Sequence, residues 1–511
     1  MPKQKTEHLV DLIHSLTKAE KRSFRLFAGR LGQADEKRYL LLFDFIESQQ
    51  KYDESLLLKK NALIKKSQLP NLKADLYEQL LSTLRRLGKN HFEDIAAREC
   101  IDHARILLAR GMPKAAQESL DKAKKYALAI HNQPLLYHAH DFERFLENQM
   151  PGAANLSKSN RIRLQGDDLV QNLMTENEYS NLSMALYALY LKHGYVKDKE
   201  DFEYIHDYFT THLPQKNTRN LDFYEKVYYY QCHVWYHHMI QDFAGYYKYS
   251  QKWVACFEAD ARMISADTSM YLKGLHNALN ALYMADKKEK FKSYFQKYTS
   301  FGHQNNARLS ESDRSHYLMY FYIHRLNEVF LTGNYQKGSE ELRPFENLLK
   351  KNEDGWEESR IMVFYYKLGC VYFGANDFKS AMTCLNFIIN APNSKIRQDI
   401  QCFARILTLI VHYELGNDVL MSYQIRSVYR FLSNMQDLQA VQREILTFLR
   451  KTPSLIPANI KKEFVALRNR LIPYSNHPYE KRPFLYLDII AWLDAKINGT
   501  TIQEEILKKK R

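Results

Sequence analysis

The sequence predicts an all-α protein, a stack of antiparallel helix pairs with an N-terminal helical module and a C-terminal capping helix. Three observations predict it. At 511 residues the chain exceeds one ordinary hydrophobic core, so several domains or a quasi-one-dimensional stack is expected. Only 17 Gly and 13 Pro are spread over that length, and alternating runs of Val, Ile and Thr are scarce, which leaves helix as the main element. Small and large apolar residues also recur at the spacing of a helix pair, most clearly over 362–392.

Residues 1–92 read as a bundle of short helices. Thr17-x-x-Glu20 is a capping box that opens a helix with the apolar stripe Phe24, Phe27, Ala28 and Leu31. Further helices are expected at Tyr39–Gln49, Glu54–Lys66 and Leu72–Leu87, the last closed by Gly88.

Residues 93–450 carry the pair spacing. In the unit starting at Met362, Tyr365, Leu368, Gly369 and Tyr372 build the first helix and Asn376-Asp377-Phe378 the turn, while Ala381, Leu385 and Ile388 face back from the second. Gly369 and Ala381 let the two helices approach closely. Starting at Ala97, the residues Ala104, Leu107, Gly111, Ala116, Leu120 and Ala123 repeat the arrangement. Looser units start near Val227, with its turn at Asp242-Phe243, near Met319, with its turn at Gly333-Asn334-Tyr335, and near Phe403, with its turn at Asn417-Asp418.

This spacing resembles the tetratricopeptide-repeat (TPR) superfamily, in degenerate form. Unit starts at 319, 362 and 403 are longer than the 34-residue TPR period, and Tyr246 and Ser422 stand where the second helix has a small residue. The resemblance implies a TPR-like α-solenoid whose first helices line a concave groove. The implied groove residues are Tyr320, Ile323, Asn327, Phe330 and Leu331 from one unit and Val363, Tyr366, Cys370, Phe373 and Gly374 from the next. Between 131 and 226 helices such as Leu135–Asn148 and Leu169–Lys192 are legible, but no register.

Residues 451–511 form the third segment. Pro453, Pro457, Pro473, Pro478 and Pro483 are expected to break the chain repeatedly, with a linker at Pro473–Pro483. A helix over Phe484–Ile497, stopped by Asn498-Gly499, is expected to close the stack, followed by the cationic tail Lys508–Arg511.

The net charge of +14 sits at the two ends. Residues 1–92 hold 18 Lys and Arg against 11 Asp and Glu, residues 450–511 hold 13 against 6, and the middle is neutral. Lys18, Lys21, Arg22 and Arg25 share one helix face, so a contact with nucleic-acid phosphates is allowed. Nothing there is placed to read bases, and no helix-turn-helix is seen. The six cysteines are scattered in apolar stretches, the start lacks the apolar core of a signal peptide, and no segment spans a membrane. A cytoplasmic protein is expected.

No G-x-G-x-x-G, G-x-S-x-G, H-E-x-x-H or C-x-x-C occurs, and Gly333–Ser339 lacks the lysine of a phosphate loop. His233 and His237, and Cys100 and His103, are helical pairs without further ligands, so no metal and no cofactor is expected. Thirty-six tyrosines supply stiff, amphipathic contact area of the kind that recognises proteins. The expected function is therefore a non-catalytic scaffold or adaptor that binds a protein, peptide or partner helix in the groove. The alternative is a transcriptional regulator with a DNA-contacting basic N-terminal module and a TPR-like sensor domain, a layout that several bacterial regulators share.

Overall fold

The computed structural model describes residues 3–509 apart from 29–32, 50–51, 62, 89–91, 150–154, 217–219, 307–308, 352–354, 392–396, 434–439, 452–456, 476 and 478–487. The described residues form α-helices and no strand. They fall into two compact units: residues 1–178 with 217–225 and 260–267, and residues 179–216, 226–259 and 268–511.

The first unit begins with α1 (Lys3–Ser15), α2 (Lys18–Ala28), α3 (Gln33–Ser48), α4 (Glu54–Lys60) and α5 (Leu69–Gly88). These five bury a core of their own around Leu9, Ile13, Phe24, Phe43, Ile46, Leu57, Leu76 and Leu80. The capping box at the start of α2 is formed. Thr17 N–H donates to Glu20 Oε2 at 2.7 Å, and Glu20 N–H donates to Thr17 Oγ1 at 3.3 Å. The expected helix Glu54–Lys66 stops early, because Asn61 leaves helical geometry and its side chain donates to the Leu57 carbonyl at 3.3 Å.

Next come α6 (Glu93–Ala109), α7 (Pro113–Ala129), α8 (Gln133–Asn148) and α9 (Leu156–His193), which belongs to this unit up to Glu178. Ala104, Ala116 and Leu120 meet as the small-residue spacing requires, together with Leu146 from α8. The short helix Ala261–Ala266 also belongs to the first unit.

The second unit contains the C-terminal part of α9 and α10 (Lys199–His212), then most of α11 (Phe223–Met239), which pairs with α12 (Phe243–Ala259). Counting Ala261–Ala266 as α13, it continues with α14 (Thr268–Met284), α15 (Lys288–Asn305), α16 (Glu311–Thr332), α17 (Tyr335–Glu341) and α18 (Arg343–Lys351). It ends with α19 (Glu358–Gly374), α20 (Phe378–Ile389), α21 (Gln398–Glu414), α22 (Asp418–Ser433), α23 (Ala440–Lys451), α24 (Pro457–Ser475), α25 (Ile489–Asn498) and α26 (Ile502–Lys509). The pair α14–α15 carries no signal that the unit spacing picked out.

One turn chemistry joins the pairs. At the ends of α6, α7, α11, α14, α19, α21 and α25 a left-handed residue follows the helix, namely Gly111, His131, Gln241, Asp286, Asn376, Gly416 and Gly499. In each case the next N–H reaches back to a carbonyl five residues earlier, as Asp377 does to Tyr372 at 2.9 Å. This is the Schellman arrangement, and it satisfies helix-end carbonyls while reversing the chain. In the best-patterned unit Gly369 faces Leu385, where an added Cβ would lie 3.3 Å from a Leu385 methyl.

Three expectations change. The second helix of the 319 unit is two helices, α17 and α18, because Pro344 cannot donate to the turn before it. Pro473 does not break the chain but sits in the last turn of α24, where only one hydrogen bond is lost. The rest of the expected linker, the start of the Phe484–Ile497 helix and the last two residues of the cationic tail lie outside the described residues.

The C-terminal helices do more than cover the last pair. Gly333, left-handed and without a Cβ, admits Ile506 of α26 against the turn before α17. Gln503 accepts there from the Gln336 N–H at 2.9 Å. In α25, Trp492 Nε1–H donates to Glu414 at the end of α21 at 2.7 Å, and Lys496 pairs with the same carboxylate at 2.6 Å. No described helix is long and apolar enough to cross a membrane.

Candidate functional site

The second unit encloses a cavity of about 850 Å³. Its wall comes from α9, α11, α14, α16, α19, α21 and α23, with the connecting residues 194–197, 241, 355–357 and 397. Only Tyr246 and Trp253, both on α12, come from the second helix of a pair. First helices therefore supply nearly all of the lining, with a spacing near four residues on each. Ser315, Met319 and Ile323 follow one another on α16, and Ser359, Val363 and Lys367 on α19.

The wall is aromatic and cationic. Trp235 lies 4.7 Å from the Tyr187 ring and 5.7 Å from Tyr190, and His238 stacks on Tyr246 at 4.7 Å. Six lining residues are Lys or Arg, namely Lys192, Lys197, Lys273, Arg360, Lys367 and Arg397, and the single lining carboxylate is Glu357. Such a surface concentrates a positive field in a low-dielectric recess.

A buried polar chain runs inward from the wall, of which Lys367 and His276 are part. Lys367 Nζ donates to Asn327 Oδ1 and lies over the rings of Tyr283 at 4.9 Å and Phe330 at 5.6 Å. Asn327 Nδ2 is 3.4 Å from His324 Nδ1, and His324 Nε2 is 2.9 Å from His276 Nδ1. With His324 Nδ1 accepting from Asn327, its proton sits on Nε2 and is donated to His276 Nδ1, so neutral His276 carries its proton on Nε2. Burial pushes both imidazoles well below their ordinary range, and the neighbouring cations push the same way. Burial also brings the Lys367 amine down to about 7, with the Cys370 thiol opposing that shift.

Of the groove residues expected from sequence, Tyr320 and Ile323 line this cavity, and Tyr320 stacks on His276 at 4.1 Å. Asn327 is enclosed behind it as the acceptor of Lys367. Tyr366 is buried in a separate crevice with Phe403 and Ile445, and Phe373 is fully buried against Phe378. The cavity's cations were not legible as a group, because they sit on different helices and the surrounding sequence is charge-neutral.

On the N-terminal module the stripe is partly neutralised. Lys21 pairs with Glu47 at 3.2 Å, and Arg25 pairs with Asp44 at 2.8 Å and also with Glu47. Lys18 and Arg22 are exposed. His233 stacks flat on Tyr249 at 4.0 Å, and burial lowers it to about 3, while His237 pairs with Asp242 at 2.9 Å. Among the described residues no group of three or more His, Cys, Asp or Glu is placed to hold a metal ion.

Comparison of the chain with family models, with curated proteins and with solved structures finds no match.

Proposed function

We propose that this chain is a non-catalytic, cytoplasmic interaction scaffold, built as a TPR-like solenoid, whose cavity takes an extended segment of a protein partner. The observation that supports this reading is the origin of the wall, since successive first helices contribute nearly every lining side chain.

A DNA-contacting regulator ranks second. Two of its four candidate cations, Lys21 and Arg25, already answer carboxylates of α3. The test fills the cavity: Ile323→Trp places a large ring on a half-buried lining position. Partner capture from the native host, after nuclease treatment, is expected to succeed with the parent and fail with the variant at equal helicity. Capture that requires nucleic acid, or that the variant retains in full, refutes the scaffold reading.

A further inference from the structure

We infer that the cavity is an anion-recognition site, holding a carboxylate or phosphate group between Lys273 of α14 and Arg360 of α19 with the ligand's apolar body against the aromatic wall. This rests on the reading of the cavity as a ligand groove and adds the chemistry of the occupant.

The first support is convergence of charge. Lys273 and Arg360 both line the cavity, as does His316, whose imidazole is lowered first by burial and then by the charges of Lys273 and Arg360. The charge of Arg360 also acts on His276, Tyr320 and Tyr246. The opposing carboxylates that reach this neighbourhood are Asp313, acting on His316, and Glu357, acting on Tyr320. Among the described residues neither Lys273 nor Arg360 forms an ion pair. A recess that gathers cations in this way repels itself until an anion enters.

The second support is independent of charge. His276 lines the cavity and offers Nε2–H as a neutral donor, since its Nδ1 is engaged by His324. Two cations and a neutral donor around one recess is what an oxyanion needs, and charge-assisted hydrogen bonds are the strong ones. The volume of about 850 Å³ lies within the range of pockets for small organic ligands.

The test uses the full chain and two fluorescent probes with the same aromatic body. One is 1-anilinonaphthalene-8-sulfonate, and the other is N-phenyl-1-naphthylamine, which lacks the sulfonate. Energy transfer from the tryptophans reads occupancy, since Trp235, Trp253 and Trp356 line the cavity. The parent is expected to bind one sulfonate probe at least about tenfold more tightly than the neutral probe, the factor one or two charge-assisted contacts supply. In Lys273→Gln/Arg360→Gln that preference should vanish while the neutral probe binds as before and melting is unchanged. A parent without the preference, or a double variant that retains it, overturns the inference. Binding of the neutral probe alone leaves the groove reading standing, whereas failure of both probes removes the groove as well. Displacement by inorganic phosphate assigns a phosphate ligand, and displacement by acetylated tyrosyl-leucyl-leucine but not by its amide assigns a peptide carboxylate. A complex that neither displaces overturns the inference.

Discussion

Lys367→Met removes the amine at the end of the buried polar chain and keeps most of its length, which isolates the effect of one charge. In the unfolded chain a lysine titrates near 10.4, whereas burial brings Lys367 to about 7 in the folded protein. Below pH 7 both states hold the proton, and the buried cation weakens the fold by a constant amount. Above pH 7 the folded state releases its proton while the unfolded state keeps it, so stability rises with pH. Integrated from pH 6.5 to 8, the gain is about 1 kcal/mol. Above this window the buried Cys232, Cys370 and Cys384 act oppositely, because their thiols are pushed up by burial and ionise only on unfolding. Urea titrations followed by tryptophan fluorescence are the assay, since Trp235, Trp253, Trp356 and Trp492 all belong to the second unit. The parent should gain about 1 kcal/mol relative to Lys367→Met across the window. The variant should be the more stable one at pH 6.5, where it no longer buries a cation. Parallel pH profiles for the two proteins would refute the account.

Two other perturbations follow from the packing. Gly374→Ala puts a Cβ 2.3 Å from the buried Tyr335 ring and should cost about 1–3 kcal/mol, read as a lowered melting temperature; unchanged melting would show that the α17–α19 contact is looser than described. Burial, with the nearby Asp222 and Glu225, raises the Glu176 carboxyl to about 7, so between the unfolded carboxylate range and pH 7 the folded state holds a proton that the unfolded state has lost. Stability of the first unit should therefore fall as pH rises through that window, and Glu176→Gln should flatten the fall in a hydrogen-exchange profile.

Helix pairing was legible because it depends on local chemistry. Turns at Gly111, Asp242, Gly333, Asn376 and Asn417 fall at or beside the left-handed residues that end the helices, and Gly369 sits where two helices touch. The break at Leu342 was missed because the apolar spacing runs through it and only Pro344 interrupts the ladder. The pair α14–α15 was missed for a different reason. Its left-handed residue is Asp286, which is neither Gly nor Asn, and α14 is apolar on most of its surface, so it shows no stripe. Tyr320 and Ile323 were placed on the groove by helical register alone. Asn327 and Phe373 lie on the same register yet are covered, since neighbouring helices decide which part of a face stays open. The approach of α26 to the start of α17 joins Gln336 and Gln503, 167 positions apart, and no local pattern encodes it.

The polar groups buried in the two units bear on function. Where α6, α7 and α8 meet in the first unit, Ala104, Ala116, Leu120 and Leu146 pack beside a buried carboxylate, Glu143 of α8, which Lys124 and Gln117 of α7 hold by charge and hydrogen bond. Around the cavity of the second unit the enclosed polar groups are Lys367, Asn327, His324 and His276. Each is a group that costs stability to bury, and aliphatic residues of similar size would fill the site at lower free energy. The polar chain is confined to the inner side of α14, α16 and α19, the helices that also present Lys273, Tyr320 and Arg360 to the recess. Placed beside a concavity, such groups are available to a ligand as well as to one another. The substitutions at Lys273 and Arg360 therefore test the recess itself, and Lys367→Met tests the buried chain that supports it.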